Sequence, residues 1–259
     1  MSVVKYHLLF IFLLFNLVFS INAYCKEDIL KNRLTLSINL GSSFPMLTNG
    51  FLKEYNEQLG GVKTEFQTYW GFGASINYQL DSIYRISFKS EYIPSTLQDN
   101  FSQEIPDKEG FWRTYNEDIT LTTIPIIVEG QYYQFYEKYK SYFGIGLGAS
   151  YSFFKWTEVV TSPVQYDKRV GGTVYNQISF YPTIMAEFGI DLDWDKDHPD
   201  EFMKSVSIST NFYYIIRYPE VFHTLKKQIE PYPEELNGRK AVAPFYISLN
   251  FGLTFNIEK

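Results

Sequence analysis

Apolar side chains fall at every second position in eight separate stretches of this chain, and no other feature of the sequence narrows its fold as far. Successive side chains of a β-strand point to opposite faces, so each such stretch has one apolar and one polar face. The stretches are residues 33–41, 69–80, 83–93, 117–133, 142–154, 177–192, 205–217 and 246–257. The last presents Ile247, Leu249, Phe251, Leu253, Phe255 and Ile257 opposite Ser248, Asn250, Gly252, Thr254 and Asn256. The fourth breaks step: Ile119 and Leu121 share one parity, and Ile124, Ile126 and Val128 the other. A β-bulge near Thr123–Pro125, where a proline is tolerated, is the expected repair.

The gaps between stretches run 42–68, 81–82, 94–116, 134–141, 155–176, 193–204 and 218–243, nearly alternating long and short. Outer-membrane barrels have this rhythm, with short periplasmic turns and longer extracellular loops. A soluble barrel would show the same period with the apolar face inside, so the polar faces decide. They are dominated by Ser, Thr, Asn, Gln and Gly, which suit the cramped interior of an eight-stranded barrel better than a soluble exterior. Composition agrees: 19% of residues are aromatic and only 20% charged. The expected fold is therefore all-β, an eight-stranded antiparallel up-and-down transmembrane β-barrel over residues 33–257, closed because lipid offers no water to an unpaired strand edge. Trp70, Tyr92, Trp156 and Tyr218 on the loop side, and Tyr78, Tyr84, Tyr132 and Trp194 on the turn side, would form interfacial girdles.

Export is expected from the N-terminus. Lys5 precedes an apolar run over residues 8–19, and a more polar exit ends at Ala23. This three-part pattern reads as a cleaved signal peptide, residues 1–23, too short in its apolar core for a spanning helix. Residues 24–32 would then form a short periplasmic segment. Cys25 has no second cysteine to pair with, and bulky Tyr24 before it argues against a lipoprotein site. Losing the leader removes one lysine and no acid, making the net charge of −6 one unit more negative. That balance argues against nucleic acid as a partner.

Asn250, Gly252, Phe255 and Ile257 resemble the C-terminal assembly signal of outer-membrane barrels, with Glu258-Lys259 as an additional tail. The resemblance implies insertion by the barrel-assembly machinery, which would pair with this strand by β-augmentation. Ile124-Pro125-Ile126-Ile127, followed by Tyr142-Phe143-Gly144-Ile145-Gly146-Leu147-Gly148, resembles the PorT-like outer-membrane β-barrel family, with OmpX- or OmpW-like eight-stranded architecture. This likeness covers nearly all of residues 33–257 at the level of strand pattern. It implies the outer membrane of a Gram-negative cell envelope. A few members of the family are linked to protein secretion.

Chemistry is sparse. Arg85, Lys89, Glu91, Glu129, Glu187 and Asp191 fall on the polar faces, and buried charges must be paired. The expectation is a lumen network in which Arg85 pairs with Glu129 and Glu187 can join, acting as a plug or as a gate on a narrow ion path. His198 and His223 lie in a turn and a loop, and no strand offers a Ser–His pair, so no catalytic residue is assigned. Asp191, Asp193, Asp195, Asp197 and Asp200 form an acidic stretch without the glycine and final glutamate of an EF-hand, read as a solvated turn. No metal or cofactor is expected. The function expected is a non-enzymatic structural, adhesion or partner-docking role in the outer membrane, in contact with its lipid. Phe101, Phe111, Trp112 and Tyr232 would be loop anchors for a protein partner. A narrow channel for ions or small solutes is the alternative, and a lipid-modifying enzyme a more distant one.

Overall fold

The computed structural model of the protein describes residues 33–81, 83–104, 109–110, 112–136, 139–161, 172–193, 202–216, 242 and 245–257. The expected leader, Cys25, Phe111, Trp194, His198, Tyr218, His223 and Tyr232 lie outside them. The strands are β1 (Leu34–Met46), β2 (Gln67–Thr68), β3 (Trp70–Gln79), β4 (Tyr84–Glu104), β5 (Trp112–Phe135), β6 (Lys140–Thr161), β7 (Gly172–Asp193), β8 (Met203–Ile215) and β9 (Phe245–Asn256). One helix, α1 (Asn49–Leu59), follows β1. Every pairing is antiparallel, in the order β4-β3-β1-β9-β8-β7-β6-β5, and β5 returns to β4. The ring is closed. Two-residue β2 pairs with β4 just beyond β3, so it prolongs that stave and adds no ninth.

Sidedness makes the ring a transmembrane barrel. Ile38 and Leu40 on β1, Phe72 and Ile76 on β3, Ile86 and Phe88 on β4, and Leu147 on β6 point outward and are exposed. So do Phe180 on β7, Ile208 on β8 and Phe251 on β9. An encircling apolar surface of this extent needs lipid to cover it. Inward positions are polar: Ser37, Asn39, Ser75, Asn77, Ser87, Ser209, Asn250 and Thr254 are all buried. They bond one another across staves, as in Asn77 Nδ2 to Ser37 Oγ at 2.8 Å and Ser37 to Thr254 at 2.8 Å.

Four staves are much longer than lipid requires. β4 to β7 run 21, 24, 22 and 22 residues, against 13, 10, 13 and 12 for β1, β3, β8 and β9. About nine to eleven residues cross a bilayer, so these four project at the loop end as a tall half-cylinder, a crown. Its outward face is largely polar, while its inward face carries Leu97, Phe101, Tyr115, Ile119, Leu121, Phe154 and Trp156, with Asp99, Arg113, Glu117 and Glu158 also buried there, nearly the reverse of the barrel below. On β5, Ile124, Ile126 and Val128 face out near lipid, whereas Ile119 and Leu121 face in and are fully buried.

That inversion corrects three expectations. No bulge interrupts β5: its register to β4 keeps one offset from Tyr84↔Tyr132 to Glu104↔Trp112, and its register to β6 is likewise unbroken. The parity switch records the strand leaving lipid for water. Residues 94–116 and 155–176 are not wholly loops either, because β4 to β7 occupy most of them. Trp156 is no girdle residue: it points inward, 1% exposed, and its Nε1 donates to Glu117 at 2.6 Å.

The helix within residues 42–68 was not expected. It ends at Gly60, whose φ of +79° suits glycine, with its N–H donating to Asn56 at 3.1 Å. Phe51, Leu52 and Tyr55 form its buried stripe, while Lys53 and Glu57 pair at 3.7 Å on the water side. The stripe packs into the crown against Phe66, Leu97, Phe101, Ile119, Leu121, Phe154 and Trp156.

Candidate functional site

The interior is the part of the molecule where charge and burial coincide. All six expected charges lie inside the ring on β4, β5 and β7, each less than 8% exposed. Their partners differ from the expectation. Arg85 pairs with Asp191 at 3.8 Å, and its Nε donates to Gln131 at 2.5 Å. Its guanidinium also lies over the rings of Tyr133 and Tyr142, at 4.7 and 5.4 Å. Lys89 takes Glu187, at 2.6 Å. Register explains the exchange: Arg85 sits directly opposite Gln131, and Glu129 opposite Ser87. Gln131 then links the two halves, its Nε2 donating to Glu129 and to Glu187 at 2.9 Å each.

Space for these groups comes from β6, which turns Gly144 and Gly146 inward opposite Gln131 and Glu129. A Cβ on Gly144 would stand 1.8 Å from Glu129 Oε1. Gly144→Val is expected to destabilise the barrel by roughly 1–3 kcal/mol through overpacking. The readout is a lower temperature for conversion of the compact to the unfolded gel band, and an unchanged conversion would show the lumen to be looser.

Glu91 is held differently. It accepts from Tyr213 Oη at 2.6 Å, Asn211 at 3.1 Å, Ser43 at 3.2 Å and Asn250 at 3.4 Å, and from Ser248. At the turn end Lys140 Nζ bridges both oxygens of Asp193 at 2.7 Å, and Tyr133 donates to Asp191 at 3.2 Å. Gln79, Arg85, Lys140, Asp191 and Lys204 line a recess there with room for roughly one water molecule. Asp191 and Asp193 are thus engaged with cations of the barrel, and Asp195, Asp197 and Asp200 lie outside the described residues. Among the described residues no cluster of three or more metal-binding side chains occurs.

Beyond Glu91 the inward residues become mostly apolar, interspersed with the buried charges Asp99, Arg113, Glu117 and Glu158, and α1 completes the filling. Phe51 meets Phe66, Trp156 and Phe154 with ring centroids 5.9, 6.3 and 6.4 Å apart, and Tyr55 meets Trp156 at 5.7 Å. Asp99 clamps the segment that follows, accepting from Tyr55 Oη at 3.0 Å and from the amides of Val62 and Lys63 at 2.8 and 3.3 Å. Gly61 lets the Tyr55 ring lie against the backbone, since a Cβ there would stand 2.0 Å from it. Sequence reasoning missed this second filling, including Asp99, Tyr55 and Trp156.

No family model and no curated protein matches the chain. Solved structures similar in fold include Neisserial surface protein A, at 10% identity and a TM-score of 0.42, covering 86% of this chain and 96% of that one. OprG, an outer membrane protein from Pseudomonas aeruginosa, is similar at 13% identity and 0.41, covering 88% and 99%. Ail, the attachment invasion locus protein of Yersinia pestis, is similar at 10% and 0.36, covering 87% and 98%.

The remaining assigned residues sort by burial. Phe101 is no loop anchor: it lies on β4, 6% exposed, stacked on Tyr115 at 5.3 Å inside the crown. Trp112, on β5, is 57% exposed. On β9, Asn250 and Gly252 point inward and the Phe255 ring meets Phe202 at a tilt, 5.1 Å between centroids, whereas Ile257, just past the strand, is exposed. Trp70, Tyr78, Tyr84 and Tyr132 are exposed on the outer surface, and Tyr92 stacks on Phe72 at 5.2 Å.

Proposed function

We propose that this chain is an exported outer-membrane barrel that neither conducts nor catalyses, and that presents its crown outside the cell to a partner. The observation that carries this reading is the double filling of the interior. Arg85–Asp191 and Lys89–Glu187 span the lumen within the membrane, and the apolar stripe of α1 fills the crown beyond them. Charges held in pairs serve as structure, since a mobile ion would have to break each pair in turn. The crown itself supports the docking role, because crossing lipid does not require strands of 21 to 24 residues. Cleavage after Ala23 and insertion through the assembly signal at Asn250, Gly252, Phe255 and Ile257 belong to the same proposal. So does the PorT-like resemblance with its link to secretion.

Two measurements test it. In isolated outer membranes the unheated protein should migrate faster than the boiled one on a detergent gel. The folded protein in planar bilayers should then show no steady conductance steps. Reproducible ohmic steps would overturn the closed-lumen reading in favour of a narrow channel.

A further inference from the structure

The outward face of the crown differs from an ordinary solvated sheet. On β4 it presents Thr96, Gln98, Asn100 and Ser102, directly opposite Thr120, Asp118, Asn116 and Thr114 on β5. These four rows hold hydroxyls and primary amides with a single charge. Lys155 stands opposite Thr120 on β6, balancing Asp118. Some of the side chains are aligned by bonds to one another: Asn100 Nδ2 donates to Asn116 Oδ1 at 2.7 Å, and Ser102 and Thr114 lie 3.0 Å apart. An exposed aromatic closes each end. Tyr69, 44% exposed, accepts from Thr96 at the base, and Trp112 lies opposite Glu104 at the top.

Edge and surface strands exposed to water ordinarily carry Lys and Glu, which discourage unwanted pairing. Their scarcity here fits a face in contact with a neutral, polar partner. Side-chain amides and hydroxyls both donate and accept, so they match sugar hydroxyls, and a flat ring supplies an apolar platform. Near-zero charge fits neither a sulfated glycan nor a basic protein. Position narrows the partner further. On β4 the face begins two residues past Pro94, itself two past Tyr92, so it continues the lipid-facing positions of the same strands upward.

We infer that this face of β4 and β5 binds an uncharged saccharide, the sugar portion of glycolipid in the surrounding outer leaflet. The inference rests on the outer-membrane reading above. The test titrates detergent-folded protein, by calorimetry, with the neutral, lipid-free oligosaccharide fraction, freed of acidic sugars and phosphate, prepared from the glycolipid of the cell's own outer membrane. Saturable binding is expected. It should weaken about tenfold in Asn100→Ala/Asn116→Ala and in Trp112→Ala, the loss of two hydrogen bonds or one ring platform. It should be unchanged in Lys53→Ala on α1. Each variant must keep the heat-dependent gel shift, which shows that it has folded. Absence of binding by shifting wild-type protein, or equal binding by the face variants, would overturn the inference. A wild-type protein without the shift and absent from outer membranes would overturn the outer-membrane reading itself.

Discussion

Lys89→Met should lower the unfolding temperature of the barrel more than any other single change in the lumen. Lys89 lies 2.6 Å from Glu187, both are almost fully buried, and the side chain also reaches Asn211 at 3.5 Å. Removing one partner of a buried pair leaves the other charge without compensation, at roughly 3–5 kcal/mol. Glu129→Gln should behave in the opposite way. Glu129 shares the amide of Gln131 with Glu187, and its Oε1 has no hydrogen-bond partner. Neutralising it relieves two crowded carboxylates and keeps the shape, so the barrel should hold its stability or gain a little. Conversion temperatures on unheated-to-heated gel series would measure both. Equal losses in the two variants would show that the network does not distinguish its two glutamates.

The barrel was legible in the sequence because lipid and lumen impose opposite demands at every second residue. Ile247, Leu249 and Phe251 against Ser248 and Asn250 leave only one arrangement in a membrane. The same period concealed where the strands stop. Ile119 and Leu121 look out of step only if the apolar face is assumed to face lipid throughout, and in water beyond the membrane it faces inward. The helix was hidden by its short length and by Asn49-Gly50 and Gly60-Gly61, which read as turns. Its signal was present, since Phe51, Leu52, Tyr55 and Leu59 follow helical spacing. The membership of the charge network was readable from strand parity. Its pairing was not, because Asp191 and Glu187 reach Arg85 and Lys89 across the lumen from β7, with two staves, β6 and β5, between it and β4 in the ring. Adjacency in sequence order carries no information about such contacts.

Phe51→Ala should release α1 while leaving the membrane part intact. The Phe51 ring is fully buried and touches Tyr55, Phe66, Phe154 and Trp156, so truncating it forfeits roughly 3–5 kcal/mol of packing. The loss should fall on the crown, because the ion pairs below are made by β4 and β7 without α1. Trypsin added to intact cells reads this directly. Lys53 lies on the water side of the docked helix and Lys63 just beyond it, but a protease cuts only an unfolded stretch, so cleavage follows the population of locally opened molecules. That population should rise by roughly a hundredfold or more, given about 1.4 kcal/mol per factor of ten. Tyr55→Phe, which removes only the hydroxyl on Asp99 at 3.0 Å, should raise it far less, by about 1 kcal/mol's worth. The heat-dependent shift of the barrel should be the same in all three proteins. A matching fall in barrel stability on Phe51→Ala would mean that crown and barrel unfold as one cooperative unit. The crown would then act as part of the membrane scaffold, and its length would need a structural explanation in place of a docking one.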